Sequence, residues 1–171
     1  LIKYKLNLIE NRIYAKHCLI RTINNDISKS FLDLNNIKGI LSGKIKLGLF
    51  YNEELVGVIL FNRLKNNNYK IISYCTKINY SIIGGFNKLI KYFIIKYKPT
   101  SIISYIDKRF FNEKIHSYTH FKLVGNYNKL NCYYFKGYDV YNNIPKNTKI
   151  NDFKRFYDCG EYKYILNIKK P

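Results

Sequence analysis

Ile82-Ile83-Gly84-Gly85-Phe86-Asn87-Lys88-Leu89-Ile90-Lys91-Tyr92-Phe93-Ile94-Ile95-Lys96-Tyr97-Lys98 decides the fold, because the apolar period changes inside it. Before Gly84-Gly85 the pattern is that of strands. From Phe86 onward Leu89, Ile90, Phe93, Ile94 and Tyr97 fall on one side of a helix, with Lys88, Lys91 and Lys98 opposite. The two glycines turn the chain into that helix. Lys98-Pro99-Thr100 ends it, since the residue before a proline is pushed out of helical conformation.

On the far side of the helix, Ser101 to Ile106 is short, β-rich and bounded, and reads as a buried strand. On the near side, Ile45 to Tyr51 and Leu55 to Asn62 flank the short polar connection Asn52-Glu53-Glu54, which predicts an antiparallel hairpin. Asn66-Asn67-Asn68 is a second turn, and Lys70 to Lys77 a third strand of the same meander. Strand, helix, strand then implies a right-handed crossover between parallel neighbours. Further out, Asn11 to Thr22 reads as a first strand, and Asn24-Asn25-Asp26 caps a helix ending near Asn35. Past Asp107 the reading is a short helix around Asn112 to Tyr118, a strand at Asn131 to Lys136, a loop through Asn142 to Asn147 and a last strand at Tyr162 to Ile168. The expectation is one α/β domain with a mixed central sheet over residues 11–137, after an extension of residues 1–10 and before a loop-rich tail of residues 138–171.

Thirty Lys and Arg against 11 Asp and Glu give a formal net charge of +19 over 171 residues, and Leu55 to Ile106 holds eight basic residues and no acidic one. Such an excess neutralises polyanions, so the expected partner is nucleic acid. Lysine outnumbers arginine, which suits phosphate neutralisation more than bidentate base reading. Lys88, Lys91 and Lys98, with Arg63, Lys65 and Lys70 around the preceding turn, are the expected contributors. A hydrophobic content of 47% excludes a disordered basic tail. No apolar run reaches the roughly 18 residues of a membrane span, so no membrane partner is expected. Cys18, Cys75, Cys132 and Cys159 form no CxxC pair and read as buried free thiols, and His116 with His120 lacks further ligands, so no metal is expected. The dominance of Ile, Lys, Asn, Tyr and Phe follows AT-rich codons, which with the initial Leu1 suggests either a gene with unusual initiation, as in mitochondria or other organelles, or a chain whose true start is missing.

Helix, three-strand meander, Gly-Gly turn, basic helix and following strand together resemble the GNAT acetyltransferase fold, in which a Gly-rich turn holds the coenzyme A pyrophosphate on backbone N–H groups. The stretch from about Asn11 to Leu166 is more closely similar to a GNAT-like domain that follows the nuclease in phage and organelle homing endonucleases. The matching words are Ala15-Lys16-His17-Cys18-Leu19-Ile20-Arg21, Phe31-Leu32 with Ile37-Lys38-Gly39, Leu47-Gly48-Leu49 with Glu54-Leu55-Val56, and Ile83-Gly84-Gly85-Phe86-Asn87-Lys88-Leu89. Ile102-Ile103-Ser104-Tyr105-Ile106-Asp107-Lys108-Arg109 and Tyr157-Asp158-Cys159-Gly160 complete the set.

The departures from that pattern shape the functional expectation. The enzymes' turn reads Gln or Arg, two residues, Gly, any residue, then Gly or Ala; here those positions are Ser81, Gly84 and Phe86. A Phe at the last of them crowds the approach of a phosphate, and Gly84-Gly85 then merely turns the chain into the helix with Phe86 packed under it. His116 stands where the enzymes often carry a tyrosine general acid, and His120 where the related domains carry a glycine. No GIY-YIG, HNH, LAGLIDADG or PD-(D/E)xK nuclease pattern occurs, and Asp107 beside Lys108 and Arg109 reads as an ion pair or strand cap. The resulting expectation is a non-catalytic RNA-binding subunit of a nucleoprotein particle such as an organellar ribosome, with other particle proteins as partners, no cofactor, and a vestigial turn at Gly84, Gly85 and Phe86. Two alternatives stand beside it: the DNA-binding portion of a homing endonuclease, and an acetyl-CoA-dependent N-acetyltransferase.

Overall fold

The computed structural model describes residues 9–109, 120–127, 132–136, 139–141 and 154–168. The chain divides into two compact units, residues 1–104 with 167–171 and residues 105–166.

The first unit opens with β1 (Asn11–Tyr14), a 3-10 turn (Ala15–His17) and β2 (Leu19–Thr22), followed by α1 (Asn25–Asn35). Then come β3 (Ile45–Tyr51), β4 (Glu54–Arg63), β5 (Asn68–Thr76), β6 (Tyr80–Ile83), α2 (Gly85–Tyr97) and β7 (Ser101–Asp107), whose first four residues belong to this unit. The sheet runs β2-β3-β4-β5-β7, antiparallel up to β5 and parallel between β5 and β7. β1 and β6 form a separate parallel ribbon, with Tyr14 opposite Ile83.

Local chemistry sets these elements. The β3–β4 hairpin closes through Asn52 and Glu53, both at positive φ (48° and 64°), the conformation whose twist suits a two-residue hairpin loop. Glu53 accepts two hydrogen bonds from the Arg21 guanidinium, at 2.7 and 2.8 Å, which ties the turn to β2. Asn24 caps α1 by accepting from the Ile27 N–H at 2.9 Å. α2 stops at Lys98, which adopts the left-handed conformation and donates its N–H to the Ile94 carbonyl.

β4 is buried on both faces, which explains its continuous apolar run, Val56 to Phe61. Val58 and Leu60 pack with Phe31 and Leu32 of α1. Phe61 stacks on Phe93 of α2 at 3.8 Å between ring centroids, and Tyr69 and Tyr97 close around Phe93 at 5.1 and 4.7 Å. The period change at Gly84-Gly85 thus places α2 as expected, with Leu89, Ile90 and Phe93 buried.

In the second unit β8 (Lys122–Tyr127) pairs antiparallel with β12 (Glu161–Asn167), and β9 (Cys132–Lys136) lies between β10 (Asp139–Tyr141) and β11 (Lys154–Tyr157). Asp107 is buried and accepts from the Arg109 backbone N–H at 3.0 Å and from its guanidinium at 2.7 Å, the ion pair and strand cap expected from sequence.

Two expectations change. The run Asn11 to Thr22 is not one strand: the 3-10 turn breaks it, and its first half pairs with β6 instead of the main sheet. β6, β8, β10 and β11 were not anticipated. The helix expected around Asn112 to Tyr118 and the loop at Asn142 to Asn147 lie outside the described residues.

Candidate functional site

The Gly84-Gly85 turn needs both glycines, for different reasons. Gly84 is the N-cap of α2 and sits in the left-handed region at φ 76°, where a side chain is strained, while only Ala15 Cβ lies near the space a Cβ would take, at 3.9 Å. Gly85 is buried, and a Cβ there would lie 2.8 Å from Tyr74 Oη and 2.9 Å from Ile82 Cγ2. With glycine at the N-cap, no side chain caps the helix. The Lys88 N–H donates to the Gly84 carbonyl at 3.0 Å and closes the first turn. The backbone N–H groups ahead of it, at the positive end of a 13-residue helix, carry no intrahelical bond, and groups so placed favour an anion.

Phe86 does not cover this turn. Its half-buried ring meets Tyr74 of β5 edge-on at 5.4 Å, so it packs beneath the helix. Ser81, one step back on β6, is half-buried opposite Arg12.

β5 supplies the second feature. Its ladder with β7 covers Asn68, Tyr69 and Lys70, opposite Ser101, Ile102 and Ile103, and extends no further among the described residues. β5 itself runs on to Thr76. The edge from Ile71 to Thr76 therefore lies outside the β7 ladder, and a strand edge of that kind takes an amide-bearing ligand as it would take another strand. Cys75 lies on this stretch, and burial pushes its thiol up to about 12.

Over the first turn of α2 lies the Ala15–His17 turn. The Lys88 ammonium donates to the carbonyls of Ala15 and Cys18, at 2.8 and 2.5 Å. Burial raises the Cys18 thiol, and the Lys88 charge draws it back down.

The basic residues singled out in the sequence do not form one surface. Lys88 is half-buried and spent on those carbonyls. Arg63, Lys65 and Lys98 are exposed near the other end of α2, where Asn67 contacts the Arg63 guanidinium at 3.5 Å and donates to the Lys98 carbonyl at 2.8 Å. Lys91 is exposed on the helix and Lys70 half-buried on β5. His120 is exposed, and His116 lies outside the described residues. Tyr74, the β5 edge and the carbonyls of Ala15 and Cys18 were missed. The signal for the last two was present, since Ala15 is the sole alanine and opens one of the words of the resemblance.

The fold is that of the GNAT acetyltransferases. A Bacillus cereus IAA acetyltransferase superposes with a TM-score of 0.58 at 12% identity, covering 88% of this chain and 99% of that one. The Escherichia coli ribosomal-protein-S18-alanine N-acetyltransferase gives 0.60 at 9% identity, over 90% and 96%. A Bacillus subtilis acetyltransferase solved in complex with CoA gives 0.55 at 15% identity, over 89% and 99%. No protein-family model matches the sequence, and no curated protein matches it.

These likenesses correct the functional expectation. The structures above that share the fold are described as acetyltransferases, one of them in complex with CoA, and not as RNA-binding or ribosomal subunits, so the non-catalytic, RNA-binding, ribosomal reading is withdrawn. Of the residues behind that reading, Phe86 turns its ring toward Tyr74, and Lys88 gives two of its donors to the carbonyls of Ala15 and Cys18.

Proposed function

We propose that the protein is an acetyl-CoA-dependent N-acetyltransferase. The observation that carries this is the uncapped Gly84-Gly85 turn, whose backbone is kept bare by conformation at one residue and by packing at the next. The N–H groups at the start of α2 would hold the pyrophosphate. The pantetheine arm carries two amides and would add along the β5 edge between Ile71 and Thr76. The net charge of +19 then serves to draw in an anionic acyl donor, with no need of a nucleic acid partner.

In the reaction an amine nitrogen attacks the thioester carbonyl, the C–N bond forms, and the C–S bond breaks with its electron pair leaving on sulfur. The amine gives up one proton and the thiolate gains one. What the chain contributes through the described residues is binding and alignment of the donor.

The test is to incubate the protein with acetyl-CoA and a panel of peptide and small-molecule amines, following thiol release and the acetylated product by mass. Amine-dependent thiol release supports the proposal. No transfer to any amine, with no binding of acetyl-CoA, opposes it.

The finer resemblance, to the domain that follows the nuclease of homing endonucleases, is proposed as descent alone and rests on the short words quoted above. Sequencing the reading frame upstream of Leu1 checks it: a fused nuclease supports that descent, and unrelated sequence opposes it.

A further inference from the structure

We infer that Lys88 is a positioning residue for the acyl-donor site, a role that rests on the acetyltransferase reading and deepens it. Its ammonium is anchored by two carbonyls 73 and 70 residues back in sequence, Ala15 at 2.8 Å and Cys18 at 2.5 Å. Among the described residues those are its only acceptors. A helical side chain leans toward the helix N-terminus, so a lysine one turn into α2 brings its charge back over the turn that Gly84 begins.

The two bonds do more than close a gap. They fasten the Ala15–His17 turn over the first turn of α2, where Ala15 Cβ approaches the Gly84 position to within 3.9 Å of an added Cβ. Gly84 itself, left-handed and without a side chain, has no packing of its own to hold it. The tether therefore substitutes for that packing and fixes the backbone whose N–H groups face the donor. It also keeps a cation at the same end of the helix, and the third ammonium N–H has no acceptor among the described residues. The ladder between β1 and β6, which ends on Tyr14 and Ile83, holds the two segments in register just ahead of the turn, so that the tether closes a frame already aligned.

The experiment is calorimetric titration of CoA into the full chain and into Lys88→Met, Lys88→Gln, Lys88→Arg and Lys91→Met, with thermal melts of each. Lys88→Met keeps the stem and deletes the donors, and it is expected to weaken CoA binding by about tenfold or more, the scale of a lost pair of charge-assisted bonds. Lys88→Arg restores charge and donors and is expected to bind within about threefold of the unaltered protein on the same scale. Lys91→Met, which removes an exposed charge three residues further along the helix, is expected to leave affinity unchanged. Where acetyl transfer is measurable, the loss in Lys88→Met falls on KM for acetyl-CoA and not on KM for the amine, which a general loosening would not arrange. Should Lys88→Met fail to fold, Lys88→Gln, whose neutral amide keeps two N–H donors but no charge, takes its place and is expected to weaken binding less. Equal affinity of Lys88→Met and the unaltered protein overturns the inference, as does an equal loss in Lys91→Met. Failure of the unaltered protein to bind CoA overturns instead the acetyltransferase reading on which it rests.

Discussion

Replacing Gly85 by alanine tests the turn at its tightest point. The added Cβ would lie 2.8 Å from Tyr74 Oη and 2.9 Å from Ile82 Cγ2, closer than a methyl group tolerates, and 3.1 Å from Ile82 Cβ, a tight contact. Overpacking of this sort costs about 1–3 kcal/mol. Alanine also favours the helix by up to about 1 kcal/mol over glycine, which offsets part of that. The net expectation is a loss of about 1–2 kcal/mol, from those two terms taken together. The helix start must move away from β5, so CoA affinity should fall with stability. Gly84→Ala offers the contrast: it meets only Ala15 Cβ, at 3.9 Å, and its cost comes from the left-handed backbone, roughly 1–2 kcal/mol. Relieving the contact separates the two causes. Tyr74→Phe removes the Oη and should recover part of the Gly85→Ala loss, with a coupling of about 0.5 kcal/mol or more in a double-mutant cycle, and should recover none of the Gly84→Ala loss. Urea unfolding and CoA titration on the four proteins read both effects. Gly85→Ala as stable as the unaltered protein and binding CoA as tightly would refute the reasoning.

Three further outcomes follow from the packing and the titrating groups. Phe93→Ala, which deletes the ring stacked on Phe61 at 3.8 Å, should cost about 3–5 kcal/mol in chemical denaturation. Asn24→Ala should cost about 1 kcal/mol through the lost cap on Ile27, and Asn24→Asp should restore most of it. Cys75 ionises at 9.0 when unfolded and at about 12 when folded, so the neutral buried thiol contributes its full stability below pH 9 and that contribution drains away as pH rises toward 12. Cys75→Val should flatten the fall in stability over that window, by up to about 1.4 kcal/mol per pH unit, in urea melts run side by side.

Much of the first unit was legible because its signals are local. The hairpin at Asn52 and Glu53, the cap at Asn24 and the stop at Lys98-Pro99 each sit within a few residues of the structure they specify. The period change at Gly84 also placed α2 to within a residue at each end. What sequence did not give is what depends on distant pairing. β1 separates from β2 because residues 11–14 find β6, some 70 positions on, and nothing in the run Asn11 to Thr22 announces it. Phe86 breaks the motif on paper, yet its ring turns toward Tyr74, a partner twelve residues earlier that no periodicity identifies. Lys88 shares the helix's basic face by spacing, but two carbonyls from the Ala15–Cys18 segment claim it. The charge of +19 was read as a binding surface because composition reports how much charge exists and not where it is spent.

The most direct test of the central claim is a titration of acetyl-CoA into the unaltered protein, followed calorimetrically and in parallel by the shift in melting temperature. Binding on the order of micromolar, with a raised melting temperature and a loss of both effects in Gly85→Ala, is the predicted result. No heat and no shift at millimolar acetyl-CoA, in a protein shown to be folded, would contradict it.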